Sequence, residues 1–68
     1  MTARQFASLA SEVFGNCWQA GAAKFFGVAS TTIWRYANGV SEVPPDRAEK
    51  LRREAREKIK RVNAALAA

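Results

Sequence analysis

The chain has 68 residues and a mass of 7.5 kDa, enough for one small domain and too little for a two-lobed enzyme with a cleft between domains. Apolar residues make up 49%, but fourteen of them are alanine, so few larger side chains remain to close a core and the fold is expected to lean on a partner subunit. Eleven Lys and Arg against six Asp and Glu give +5 and a pI near 10.2, a balance that favours an anionic partner such as nucleic acid.

With no histidine and one cysteine, Cys17, a four-ligand zinc site, a disulfide framework and a His-based triad are all excluded within one chain, and no metal or cofactor is expected. No stretch has the length of a signal-peptide core or a membrane span, so a reducing cytoplasm is the expected setting. The six scattered carboxylates offer no nucleophile and base pair, and the chain is not expected to be an enzyme.

In chain order, Thr2-Ala3-Arg4-Gln5 has the spacing of a capping box, and Phe6, Leu9, Ala10 and Val13 recur on one helical face. Helix 1 is expected over residues 3 to 14, ended by Gly15 as a left-handed C′ residue. Asn16-Cys17-Trp18-Gln19 repeats the cap-plus-Gln spacing before a short second helix from Gln19 to Phe26, in which Gly21 costs about 1 kcal/mol relative to alanine. After Gly27, Ala29-Ser30-Thr31-Thr32 supplies hydroxyl caps for a third helix over about 30 to 38, stopped by Gly39.

Pro45 suits the first position of a long fourth helix over about 46 to 66. Ala48, Leu51, Ala55, Ile59, Val62 and Leu66 form one stripe along it, with a mean spacing near the 3.6-residue helical repeat. Asp46/Lys50, Glu49/Arg53, Glu54/Lys58 and Glu57/Arg61 have the acid-before-base i, i+4 spacing that supports a helix. The alanine-rich end, Ala64 to Ala68, is expected to fray. The sum is an all-α, four-helix domain covering residues 1–68.

Two short helices joined by a tight glycine turn make a helix-turn-helix unit. The segment Gln19 to Asn38, QAGAAKFFGVASTTIWRYAN, resembles the DNA-binding motif of the Cro and lambda-repressor-like family of short phage and prophage regulators. Ala23 matches the small residue where the helices cross, Gly27 the turn residue with positive φ, and Ala22, Phe26, Val28, Ile33 and Tyr36 the apolar positions. VPPDRAEKL resembles the segment that follows in such regulators, so the likeness covers roughly residues 17 to 52; the long charged helix is less typical of the family.

With Ile33 and Tyr36 turned inward, Ser30, Thr31, Trp34, Arg35 and Asn38 must share the opposite side of helix 3. The resemblance implies that this side enters the major groove of double-stranded DNA. Ser30, Thr31 and Arg35 would read base edges with Thr32 as helper, and Gln19 and Asn38 would hold phosphates. Arg35 suits guanine O6 and N7. Lys24 adds a counterion-displacing charge. Trp34 has two uses open to it, contact with sugar or thymine and packing against the 40–45 connector or a partner. Cys17 is expected to be a small packing residue near a helix start.

Residues 46 to 68 hold eight of the eleven bases and four of the six acids. This helix reads as a solvated, charge-laced rod, with a phosphate-contacting flank or a dimer arm as further uses. At roughly 30 Å it rivals a domain body whose radius of gyration should be about 11 Å. Ala48, Leu51 and Ala55 are expected to cover the core, leaving Ile59, Val62 and Leu66 for a homodimer interface.

The resemblance implies a homodimeric repressor on an inverted-repeat operator in a promoter, controlled by its own concentration through autoregulation and needing no small-molecule ligand or membrane. Its setting would be a prokaryotic or phage-infected cell. One subgroup of such regulators represses anti-CRISPR operons in phages, a role compatible with this sequence. The contrasting reading is a protein-interaction module, such as an antitoxin or phage assembly factor, that uses the same unit as a docking surface. RNA binding has less support, because no stacking-platform motif accompanies the arginine-rich helix.

Overall fold

The structure, a computed structural model, describes residues 1–68 and contains four α-helices and no strand: α1 (Ala3–Phe14), α2 (Trp18–Phe26), α3 (Ser30–Ala37) and α4 (Pro45–Ala67). The all-α architecture is the one expected. At the start of α1 the capping box is complete: the Gln5 amide donates to Thr2 Oγ1 at 3.1 Å and the Thr2 amide to Gln5 Oε1 at 2.9 Å. Two otherwise orphaned amides are thereby satisfied in a chain with few stabilising contacts. Pro45 occupies the first turn of α4, where its missing N–H leaves no bond unmade.

Every helix contributes to one core. Phe6 and Ala10 of α1, Ala22 and Ala23 of α2, Ile33 and Tyr36 of α3, Val43 of the connector and Ala48 and Leu51 of α4 are buried. Phe6 is fully enclosed and organises the rest, meeting Trp18 edge-to-face at 6.3 Å and Tyr36 at 5.5 Å between ring centroids. α1 therefore packs against all three other helices. Tyr36 keeps its hydroxyl satisfied at the core edge, where it accepts from Arg47 Nη1. No buried side-chain nitrogen or oxygen lacks a partner, as a small core requires.

α4 runs in the same direction as α1. Arg52 shares a cleft with Arg4 and Ser8 near the start of α1, whereas Lys58, farther along α4, reaches the last turn of α1. Lys58 Nζ donates to the carbonyl oxygens of Glu12 at 2.7 Å and Val13 at 3.1 Å. Lys50 does the same at the end of α2, with Nζ 3.4 Å from the Phe25 carbonyl and 4.7 Å from the centre of the Phe25 ring. Both lysines thus neutralise the negative end of a neighbouring helix.

These contacts overturn the expected i, i+4 ladder. The ion pairs that form are Glu49–Arg56, Glu57–Lys60 and Glu54–Arg61, at separations of seven and three residues. Lys50 and Lys58 are drawn off to carbonyl oxygens, which leaves Asp46 unpaired and Glu54 to Arg61. The alanine-rich end is helical to Ala67, in keeping with the high helix propensity of alanine. The long helix stretches the molecule to 42 × 21 × 19 Å, and the radius of gyration of 12.3 Å exceeds that of a sphere-like chain of this length. No helix is long and apolar enough to cross a membrane.

Candidate nucleic-acid interface

The α2–α3 unit is built by a turn that only one residue type makes without strain. Gly27 lies at φ 68°, ψ 36°, the left-handed region that costs other L-residues about 1–2 kcal/mol. Its amide donates to the Lys24 carbonyl at 3.3 Å and that of Val28 to Ala23 at 3.0 Å, the paired bonds of a Schellman motif. The same pair recurs after α3, from Gly39 to Tyr36 and from Val40 to Arg35. Between the helices Ala22, Ala23, Ile33 and Tyr36 are buried, with Phe26 and Val28 packed on the same core. α3 is held by both ends and by its inner face.

Helix boundaries differ from expectation in informative ways. α2 begins at Trp18, one residue early, with Cys17 as N-cap and no side-chain bond from Asn16. Cys17 is exposed and so is not a packing residue. The N-cap of α3 is Ala29, so none of the hydroxyls of Ser30, Thr31 and Thr32 caps the helix. Gly15 has a positive φ of 81°, but its ψ of −154° lies outside the left-handed helical region.

On α3 the outward face has the composition anticipated from the spacing. Ser30, Thr31, Trp34, Arg35 and Asn38 are exposed, Thr32 is half-buried, and Ile33 and Tyr36 are inside. Arg35 makes no ion pair. Trp34 is 49% exposed and pairs with no other aromatic ring of the chain. Asn38 donates from Nδ2 to the Trp34 carbonyl at 2.8 Å at the end of the helix, which uses one of the two protons on that nitrogen.

Gln19 and Ser30 line one shallow hollow of about 440 Å³ with Asn16, Cys17, Trp18 and Ala20. The starts of α2 and α3 therefore adjoin, and neither carries a side-chain cap. Their amides face outward with the partial positive charge of helix N-termini. Lys24 is exposed in the last turn of α2, away from that hollow, and makes no ion pair. Arg4, Arg52 and Arg53 are also free of ion pairs.

The second candidate surface is the far half of α4. Ile59 is 59%, Val62 48% and Leu66 79% exposed, while Ala48 and Leu51 are buried and Ala55 is half-buried. Leu9 and Val13, assigned to the inner face of α1, pack against the core and are only partly covered, and their open side lines a groove of about 260 Å³ with Ala55, Ile59 and Val62. Only the register of α4 along α1 brings them together, and no local sequence signal sets that register. Comparison with protein-family models, with curated proteins and with solved structures finds no match for this chain.

Proposed function

We propose that this chain is a sequence-specific double-stranded-DNA-binding transcriptional regulator, a homodimeric repressor that occupies an inverted-repeat operator and blocks a promoter. The observation that carries the reading is the outward face of α3. Ser30, Thr31, Trp34 and Arg35 stand exposed on a helix whose inner face and both ends are fixed, and Arg35 is an unpaired guanidinium. A rigid helix offering hydroxyls, an arginine and an apolar ring is the kind of surface that reads base edges in a major groove.

Supporting groups surround it. In this reading Gln19, beside the uncapped start of α2, and Asn38, through the second proton on Nδ2 at the end of α3, hold phosphates, and Lys24 adds positive charge. Two such helices in a two-fold dimer would meet half-sites about 10–10.5 bp apart, or a multiple of that. Regulation is by occupancy in the cytoplasm, with autoregulation as the means of control.

The test is fluorescence anisotropy of the purified protein on the duplex upstream of its own gene and on a shuffled duplex, over a series of salt concentrations. A preference of about a thousandfold or more supports an operator-binding regulator. Equal, weak and steeply salt-dependent binding to both duplexes overturns it. Arg35→Ala separates this reading from a protein-docking role, since only DNA affinity depends on that guanidinium.

A further inference from the structure

The groove between α1 and α4 is apolar along its floor and open to solvent, and it ends where α4 continues alone. Leu9 and Val13 form one wall and Ala55, Ile59 and Val62 the other, with the polar side chains of Glu12, Lys58 and Asn63 completing the lining. Lys58 lies level with the last turn of α1, and nine helical residues follow it, about 13 Å at 1.5 Å per residue. Leu66 stands on this overhang, one turn beyond Val62 on the same stripe, and is the most exposed of the large apolar side chains.

Charge says what can approach. From Pro45 to Arg61, twelve of seventeen residues are charged; from Val62 to Ala68, none is. Two chains of net charge +5 repel one another over most of their surfaces. The end of the overhang, from Val62 onward, is the one part of α4 that can enter a neighbour without bringing a basic residue with it. Asn63, Ala64, Ala65 and Ala67 surround Leu66 with small side chains, so a helix in this segment can lie close against another. The ammonium at the groove rim, on Lys58, is already engaged by two carbonyl oxygens and faces no new partner uncompensated.

We infer that the groove receives the overhang of a second copy of this chain: Leu66 of each protomer seats between Leu9, Val13, Ile59 and Val62 of its partner around a two-fold axis. One chain carries both the projection and the receptacle, which is the self-complementarity that a closed, isologous dimer requires. The contact differs from a simple pairing of two α4 stripes because α1 supplies half of each receptacle. The inference rests on the homodimer of the proposed reading and specifies its interface; because it is measured without DNA, its failure is distinguishable from a failure of DNA binding.

The experiment is sedimentation equilibrium of the full chain in the high micromolar range without DNA, with far-UV circular dichroism on each variant. Wild type should sediment at twice the chain mass of 7.5 kDa, and Leu66→Asp at the chain mass with its helical signal retained, since Leu66 touches no core residue. Mixing Leu9→Cys with Leu66→Cys, both in a Cys17→Ser background, should give an interchain 9–66 disulfide on oxidation. A monomeric wild type overturns the inference, as does a dimer that Leu66→Asp leaves intact. Cross-linking only between two copies of Leu66→Cys also overturns it, because the overhangs would then meet each other and not the groove.

Discussion

Lys58 Nζ sits 2.7 Å from the Glu12 carbonyl oxygen, tying the middle of α4 to the last turn of α1. A second bond, to the Val13 carbonyl at 3.1 Å, uses another of its protons. Because the last four carbonyls of a helix have no partner within it, one ammonium here replaces what the helix cannot provide and offsets its dipole. Lys58→Met should therefore destabilise the fold by about 1–2 kcal/mol, a Tm fall of several degrees in a domain this size. Lys60→Met, which removes only an exposed pair with Glu57, should cost less than about 0.5 kcal/mol. Thermal unfolding followed by circular dichroism compares the two; equal losses would show that the carbonyl contacts contribute nothing special.

Gly27→Ala tests the turn. A Cβ there would meet nothing within 4 Å, so any loss comes from the backbone at φ +68° and not from crowding. We expect about 1–2 kcal/mol of destabilisation, with Gly27→Asn losing less because asparagine tolerates the left-handed region better. Chemical denaturation midpoints with unchanged m-values would measure it.

Gly21→Ala should contradict helix propensity. In an isolated helix the change gains about 1 kcal/mol. Here the added Cβ would lie 3.0 Å from Phe14 Cβ and 3.2 Å from its Cγ, and a Cβ can yield only if the end of α1 moves with it. The expected result is a lower Tm, reversed or reduced in Gly21→Ala combined with Phe14→Leu if crowding is the cause.

DNA binding should divide by role. Arg35→Ala and Thr31→Ala are expected to lose about 1–3 kcal/mol of specific affinity each and to relax preference at the base they read. Lys24→Ala should weaken all duplexes alike and reduce the slope of log K against log salt by about 1. All three side chains are exposed, so Tm should stay within the small change typical of surface substitutions. Competition titrations at several salt concentrations separate the two behaviours; identical profiles for Arg35→Ala and Lys24→Ala would remove Arg35 from the base-reading set.

The core allows a sharper statement about stability. Phe6 is fully buried against Trp18 and Tyr36, one on each side of the α2–α3 unit. Truncating a buried Phe costs about 3–5 kcal/mol, while a chain of this length holds only about 3–10 kcal/mol in total. Phe6→Ala should leave a large unfolded fraction at 37 °C by circular dichroism, and a cooperative transition near the wild-type Tm would show that the three-ring contact is dispensable.

Local rules were enough for much of this molecule. The capping box at Thr2 and Gln5, the glycine stops at Gly27 and Gly39, proline at the start of α4 and the inward set Ile33 and Tyr36 are all short-range features. Backbone sterics and helical periodicity act within a few residues, so one chain segment suffices to specify them. The exposure of Ser30, Thr31, Trp34, Arg35 and Asn38 follows from the same periodicity once two core positions are placed.

What local rules could not provide depends on which helices become neighbours. Lys50 and Lys58 look like members of an i, i+4 ladder until α2 and α1 present unpaired carbonyls to them. Gly21 looks like a weak point in a helix until Phe14 packs over it. Leu9 and Val13 share the apolar periodicity of Phe6 and Ala10 and pack on the same core, yet they are covered only in part and line an open groove, because α4 passes along α1 at a register set by Ala48 and Leu51 in the core. Periodicity marks a face as apolar; only packing of distant segments decides how far that face is covered, and here the outer side of Leu9 and Val13 stays open.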